Sequence, residues 1–137
     1  MKIGIVGSMH FTEQMMDAKE KLLAMGHDAF VTSLAPPFVG LSDDEKEKRK
    51  IEDQMERDAI REFWRLMQGA DAILVMNFDR RGIKNYIGGN TLLEMGFAHI
   101  LDQQIYLLNP IPDIPYYRQE IVAMRPIVLN GDLTRIR

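Results

Sequence analysis

The sequence predicts an α/β fold, a single doubly wound, mostly parallel five-stranded sheet with helices on both faces. Three observations carry this. Short, branched apolar runs alternate with stretches of helical spacing, the pattern left by right-handed strand-helix-strand crossovers. The most apolar run, Ala72 to Met76, has no polar face, as a parallel strand covered on both sides requires. A length of 137 residues with 46% hydrophobic content fills one core and not two, so residues 1–137 read as one domain.

The elements follow in order. Lys2 to Val6 is a first strand ending in the turn Gly7-Ser8, and its apolar run is too short and glycine-rich for a signal peptide. Thr12 to Met25 places Met15, Ala18, Leu22 and Met25 at helical spacing and stops at Gly26. Asp28 to Thr32 is a second strand. The paired prolines of Ser33 to Gly40 force an irregular segment that could serve as a lid. Ser42, with Glu45 in capping-box position, opens a charged helix expected to run to Met67 and to end at Gly69. Its run Asp44 to Lys50 is mixed in sign and reads as a solvated face, while Phe63, Trp64 and Leu66 are expected to pack that helix on the sheet. Ala72 to Met76 is the central strand. A glycine-rich loop leads to a helix from Asn90 to Asp102 and a strand from Ile105 to Leu108. After a proline-rich loop come a short helix, Arg118 to Met124, and a last strand, Ile127 to Leu129.

Composition narrows the function classes. With no cysteine, thiol catalysis and thiolate metal sites are excluded, and His10, His27 and His99 form no paired motif, so no metal and no redox cofactor are expected. A net charge of −3 with interleaved signs provides no broad cationic field for a nucleic acid polymer. No apolar run approaches a membrane span, so no membrane partner is expected and a cytoplasmic location is the default. A small ligand is the expected partner.

In a doubly wound sheet, ligands bind beyond the carboxyl ends of the strands where strand order reverses. Three segments are expected to converge there: Gly7-Ser8-Met9-His10 after the first strand, Asn77 to Asp79 after the central one, and Gly88-Gly89-Asn90 at the next helix. Within that helix Glu94 is the only carboxylate among side chains apolar nearly all round. A buried carboxylate must be paired, protonated or open to a cleft. With Asn90 as N-cap, Glu94 falls in the first turn, where the helix-terminal potential favours its ionised form as a nucleophile or base. The alternative is a residue that only complements the dipole or pairs with Arg80, Arg81 or Lys84. Gly7 and Ser8 could present N–H groups and a hydroxyl to a phosphate, or form a plain capped turn.

The run Gly88-Gly89-Asn90-Thr91-Leu92-Leu93-Glu94-Met95-Gly96-Phe97-Ala98, after the strand at Ala72-Ile73-Leu74-Val75, resembles the Asp-x-Gly-Thr-x-x-Glu-x-Gly-x-Ala signature of the nucleoside 2-deoxyribosyltransferase superfamily. That superfamily includes the 2-deoxynucleoside 5-phosphate N-hydrolases. The resemblance spans residues 1 to about 108, and Thr91, Glu94, Gly96 and Ala98 are its most specific part. It implies a Rossmann-like or flavodoxin-like enzyme in which Glu94 attacks the anomeric carbon of a nucleoside or nucleotide, forming a glycosyl-enzyme released by water or another base. It also implies a homodimer or larger homo-oligomer.

The sequence departs from the family pattern. The position expected to carry a second carboxylate, counted back from Asp71, is Phe63; Gly88 replaces an Asp or Ser, and Asn90 a Gly. Asp79 is therefore expected as the catalytic helper, with an exposed loop residue as the alternative. Asn77 and Asn85 are expected to read a base or ribose edge or to serve as turn residues. His10 is expected near phosphate or leaving base, and Tyr116-Tyr117 at the pocket or a subunit contact. Two other classes remain: a nucleotide-binding sensor without turnover, and a flavodoxin-like FMN binder.

Overall fold

In the computed structural model, which describes residues 1–137, the sheet is five-stranded and wholly parallel. The strands are β1 (Lys2–Val6), β2 (Asp28–Phe30), β3 (Ala72–Val75), β4 (Gln104–Leu107) and β5 (Ile127–Val128), and their order across the sheet is β2-β1-β3-β4-β5. All four residues of β3 are buried, as a central parallel strand demands. Alternate side chains feed two cores. Leu74 joins Ile3, Ile5, Met15, Leu22 and Ile136 under α1 (Thr12–Ala24) and the C-terminal turn. Ile73 and Val75 join Phe63, Met67, Met95 and Ile121 on the other face. Gly4 in β1 is a glycine because of close approach: a Cβ there would stand 2.8 Å from the Phe30 ring.

The expected long helix is two helices, α2 (Asp43–Glu56) and α3 (Ala59–Leu66). The break falls at Asp58, which takes a left-handed conformation (φ 46°, ψ 59°) and caps α3 by accepting from the Arg61 N–H. The capping box of Ser42 and Glu45 is present as expected. Of the three side chains expected to seat this helix, Phe63 is buried, while Trp64 and Leu66 are partly exposed, with Trp64 edge-on to Phe97. The next helix, α4 (Gly89–Ile100), begins one residue earlier than expected, with Gly88 as N-cap in place of Asn90. The last helix is α5 (Arg118–Ala123). Helices α3, α4 and α5 cover the second face of the sheet. No helix is long and apolar enough to cross a membrane.

Candidate functional site

The chain runs from β1 to β2 on one side and then to β3 on the other, so strand order reverses between β1 and β3. At their carboxyl ends the sheet opens into a cleft of about 250 Å³. Its wall is half polar in character. A dry packing void is apolar and smaller, and this space is neither. Gly7, Ser8 and Met9 form its floor beyond β1, and Gly88, Gly89 and Asn90 enter from the start of α4. Gly7 has to be a glycine, since a Cβ there would lie 2.9 Å from the Met76 carbonyl oxygen. Ser8 both lines the cleft and caps the following 3-10 turn by accepting from the His10 N–H at 3.3 Å.

Glu94 reaches this cleft from the second turn of α4. Its residue surface is 6% exposed. Of the three cations named as possible partners, Arg80 pairs with Asp43 at 3.1 Å and Arg81 with Glu47 at 3.5 Å, and none of the three, Lys84 included, forms an ion pair with Glu94. Burial, reinforced by the nearby negative charge of Glu62, raises the Glu94 carboxyl to about 8. This corrects the expected ionised state. The helix starts at Gly89, so Glu94 lies beyond the first turn, where the terminal potential acts, and desolvation wins.

Glu62 supplies a second carboxylate on α3, one residue before the Phe63 position at which the family pattern places one. Its oxygens are already engaged at the end of β2, accepting from Thr32 Oγ1 at 2.6 Å and from Ser33 N and Oγ at 3.0 and 2.6 Å. It acts on Glu94 through its charge.

The other expected site residues separate. Asp79 is exposed, outside the cleft, and its Oδ1 accepts from the Asn85 N–H at 2.9 Å to close the loop after β3. Asn85 is the left-handed residue of that loop (φ 58°). Asn77 is fully buried and clamps two strand ends. Its side chain donates to the carbonyls of Asn109 and Pro110 and accepts from the Asn109 N–H at 3.0 Å. None of these three lines the cleft, which the loop after β3 reaches only at Tyr86. His10 is also outside the cleft, held by Asp43 at 2.5 Å and Glu47 at 2.8 Å. Tyr116 is 90% exposed, and Tyr117 donates its hydroxyl to the Ile87 carbonyl.

The fourth wall is α2, which sequence reasoning passed over. Lys50, Asp53 and Gln54 line the cleft. Asp53 is 2% exposed; its Oδ1 accepts from Arg57 at 2.7 Å, and its Oδ2 has no partner. Asn90 Oδ1 is likewise buried without a partner. Both oxygens belong to residues of the cleft wall and are themselves closed to solvent, so each carries the cost of an unmade hydrogen bond. The signal for α2 was the spacing of Lys46, Lys50 and Asp53 along one helix face, hidden because that face is polar. No group of three or more His, Asp or Glu side chains is arranged to hold a metal ion. In comparisons with known proteins, no family model matches the chain and no curated protein matches it in sequence.

Proposed function

We propose that the chain is an N-glycosidase of the nucleoside 2-deoxyribosyltransferase type, cleaving or exchanging the base of a nucleoside or nucleoside 5-monophosphate in the cytoplasm. One observation carries this reading: an unpaired carboxyl, Glu94, stands at the wall of a ligand-sized cleft at the point where strand order reverses. Cleavage of an N-glycosidic bond develops positive charge on the sugar, and a carboxylate in a desolvated cleft stabilises that charge more than one in water. The ionised Glu94 oxygen forms a bond to the anomeric carbon as the carbon-nitrogen bond breaks, and the base leaves with the electron pair and takes up a proton. Water, or a second base, then displaces the carboxylate. With its carboxyl raised to about 8, Glu94 is mostly protonated at neutral pH, and the attacking form grows as pH rises. The orphan N–H groups at the start of α4, where Gly88 offers no side-chain cap, suit a 5-phosphate.

The test is release of free base, followed by chromatography, from a panel of nucleosides and their 5-monophosphates. Glu94→Gln is expected to abolish release, and the wild-type rate is expected to climb about tenfold per pH unit toward pH 8 and level off above it. Release that persists in Glu94→Gln sinks the reading. A neutral Glu94 also favours a second one, a sensor that holds an intact nucleotide through a donated carboxyl proton. A nucleotide recovered unchanged after long incubation, bound less tightly at pH 9 than at pH 6, distinguishes it.

A further inference from the structure

Glu94 does not stand alone on its side of α4. Asn90, one helical turn before it, lines the same cleft, and side chains four residues apart on a helix are neighbours, with about 5–6 Å between their Cβ atoms. Helical side chains also lean back toward the N-terminus, so the Glu94 carboxyl is carried over the turn that holds Asn90. No hydrogen bond within the chain engages the Asn90 amide. Its Oδ1 is closed to solvent as well, which leaves the two N–H groups as the end free to meet the cleft. Other polar groups nearby are in use: Ser8 caps the turn after β1, Glu62 is held by Thr32 and Ser33, and Asp53 by Arg57. Asn90 is also where this chain departs from the family signature, which has glycine, and therefore no side chain, at that place.

We propose that Asn90 reads the 2-hydroxyl of the sugar, so that the cleft takes ribonucleosides and their 5-monophosphates in preference to the 2-deoxy counterparts. The inference rests on the reading that Glu94 attacks the anomeric carbon. Displacement of the base from a β-nucleoside brings the carboxylate to the face of the ring opposite the base. In a riboside that face carries the 2-hydroxyl, on the carbon next to the one attacked. A residue that flanks Glu94 on the cleft side of α4 meets this group, and Asn90 flanks it with an amide to spare. The hydroxyl accepts from an Asn90 N–H and donates to a Glu94 oxygen, so one group serves two side chains that have no partner in the chain. Hydrogen bonds to the 2-hydroxyl also strengthen as charge develops on the sugar. A 2-deoxy sugar leaves the amide unpaired, the kind of difference by which a polar pocket rejects an analogue that lacks one hydroxyl.

Binding to Glu94→Gln, and not turnover, is the readout, because the 2-hydroxyl draws electrons from the anomeric carbon and slows the cleavage of ribosides whatever holds them. The substitution keeps the shape and the neutral state of the buried Glu94. Calorimetric titration uses the 5-monophosphates of adenosine, guanosine, cytidine and uridine, each against its 2-deoxy counterpart. In the best-bound pair the ribose form is expected to bind about tenfold tighter. Adding Asn90→Ala is expected to close that gap to about twofold or less by weakening the ribose form. A residue that only shaped the cleft would weaken both forms alike. The double variant is expected to keep the melting temperature of Glu94→Gln, since the Asn90 amide holds nothing in the chain. Equal affinity for the two forms, a tighter 2-deoxy form, or a preference that survives Asn90→Ala overturns the proposal. So does a loss shared equally by both forms, or the binding of no nucleotide. Failure of the glycosidase reading is seen separately: the unsubstituted chain then releases no base from any of these compounds, while the ribose preference and its loss with Asn90→Ala still uphold the role of Asn90.

Discussion

Glu94 is held as a neutral acid by burial and by the charge of Glu62, and this has a consequence for stability. Its carboxyl binds a proton more tightly folded than unfolded, so between about pH 4.5 and about 8 the folded state carries the extra proton. Stability from this residue is complete below the unfolded value and is lost as pH rises to about 8. A shift of that size corresponds to roughly 3–5 kcal/mol. Glu94→Gln is therefore expected to melt above wild type by a margin that widens from pH 5 to pH 8, and a margin independent of pH would contradict the burial. Asn77 makes the opposite kind of contribution. Asn77→Ala strands the Asn109 N–H and the carbonyls of Asn109 and Pro110, and is expected to cost about 2–3 kcal/mol in urea unfolding. At this scale the sequence showed that Glu94 was an anomaly, because a lone carboxylate in an apolar helix is visible in one dimension. Its protonation was not legible, since Glu62 comes near it only through the packing of α3 beside α4. Nor was the clamp of Asn77 on Asn109, two segments joined only when β3 and β4 pair.

Among the helices, α2 is the exception, since its buried residues are Lys46 and Asp53 while Ile51 and Met55 face solvent. Ion pairs of Lys46 with Glu13 at 2.5 Å and of Arg80 with Asp43, and the hydrogen bonds of His10 with Asp43 and Glu47, hold it in place. Glu47 is pulled down to about 2, first by its hydrogen bond with His10 and then by Lys50. A helix fastened by charge over a cleft responds to salt. At 1 M salt, where screening acts within about 3 Å, amide exchange across α2 is expected to accelerate by about tenfold while α1 and α4 stay unchanged. Because the Glu47 value is depressed, its contribution is present above about pH 4.5 and is lost as pH falls toward 2, so α2 is expected to loosen first on acidification. Equal exchange in all helices would refute an electrostatic tether. The capping box made the start of α2 legible. Its end was not, because neither Pro nor Gly marks the break and Asp58 takes a conformation that L-residues seldom adopt.

The strand pattern determines the whole molecule more directly than it determines any one site. Alternating apolar runs and helical segments admit few right-handed arrangements, and the order β2-β1-β3-β4-β5 places the reversal, and so the cleft, beside Gly7. Which polar groups reach that cleft depends on packing between helices distant in sequence, and there α2 took the place expected for Asp79. The cleft also joins parts of the molecule that are otherwise held separately, the sheet floor, α4 and the charge-tethered α2, so a ligand bound across it should stabilise all three at once. A ligand at a hundredfold excess over its dissociation constant adds about 2.7 kcal/mol to the folded state, which for a domain of this size raises the melting temperature by several degrees. A nucleoside 5-monophosphate is expected to give such a shift and at the same time to slow amide exchange in α2. Gly89→Asp, which sets a negative charge at the cleft wall where the phosphate is expected, should erase both effects without lowering the melting temperature of the free protein, since a Cβ at Gly89 meets nothing within 4 Å. A shift that Gly89→Asp leaves in place would mean that the nucleotide binds elsewhere on the molecule.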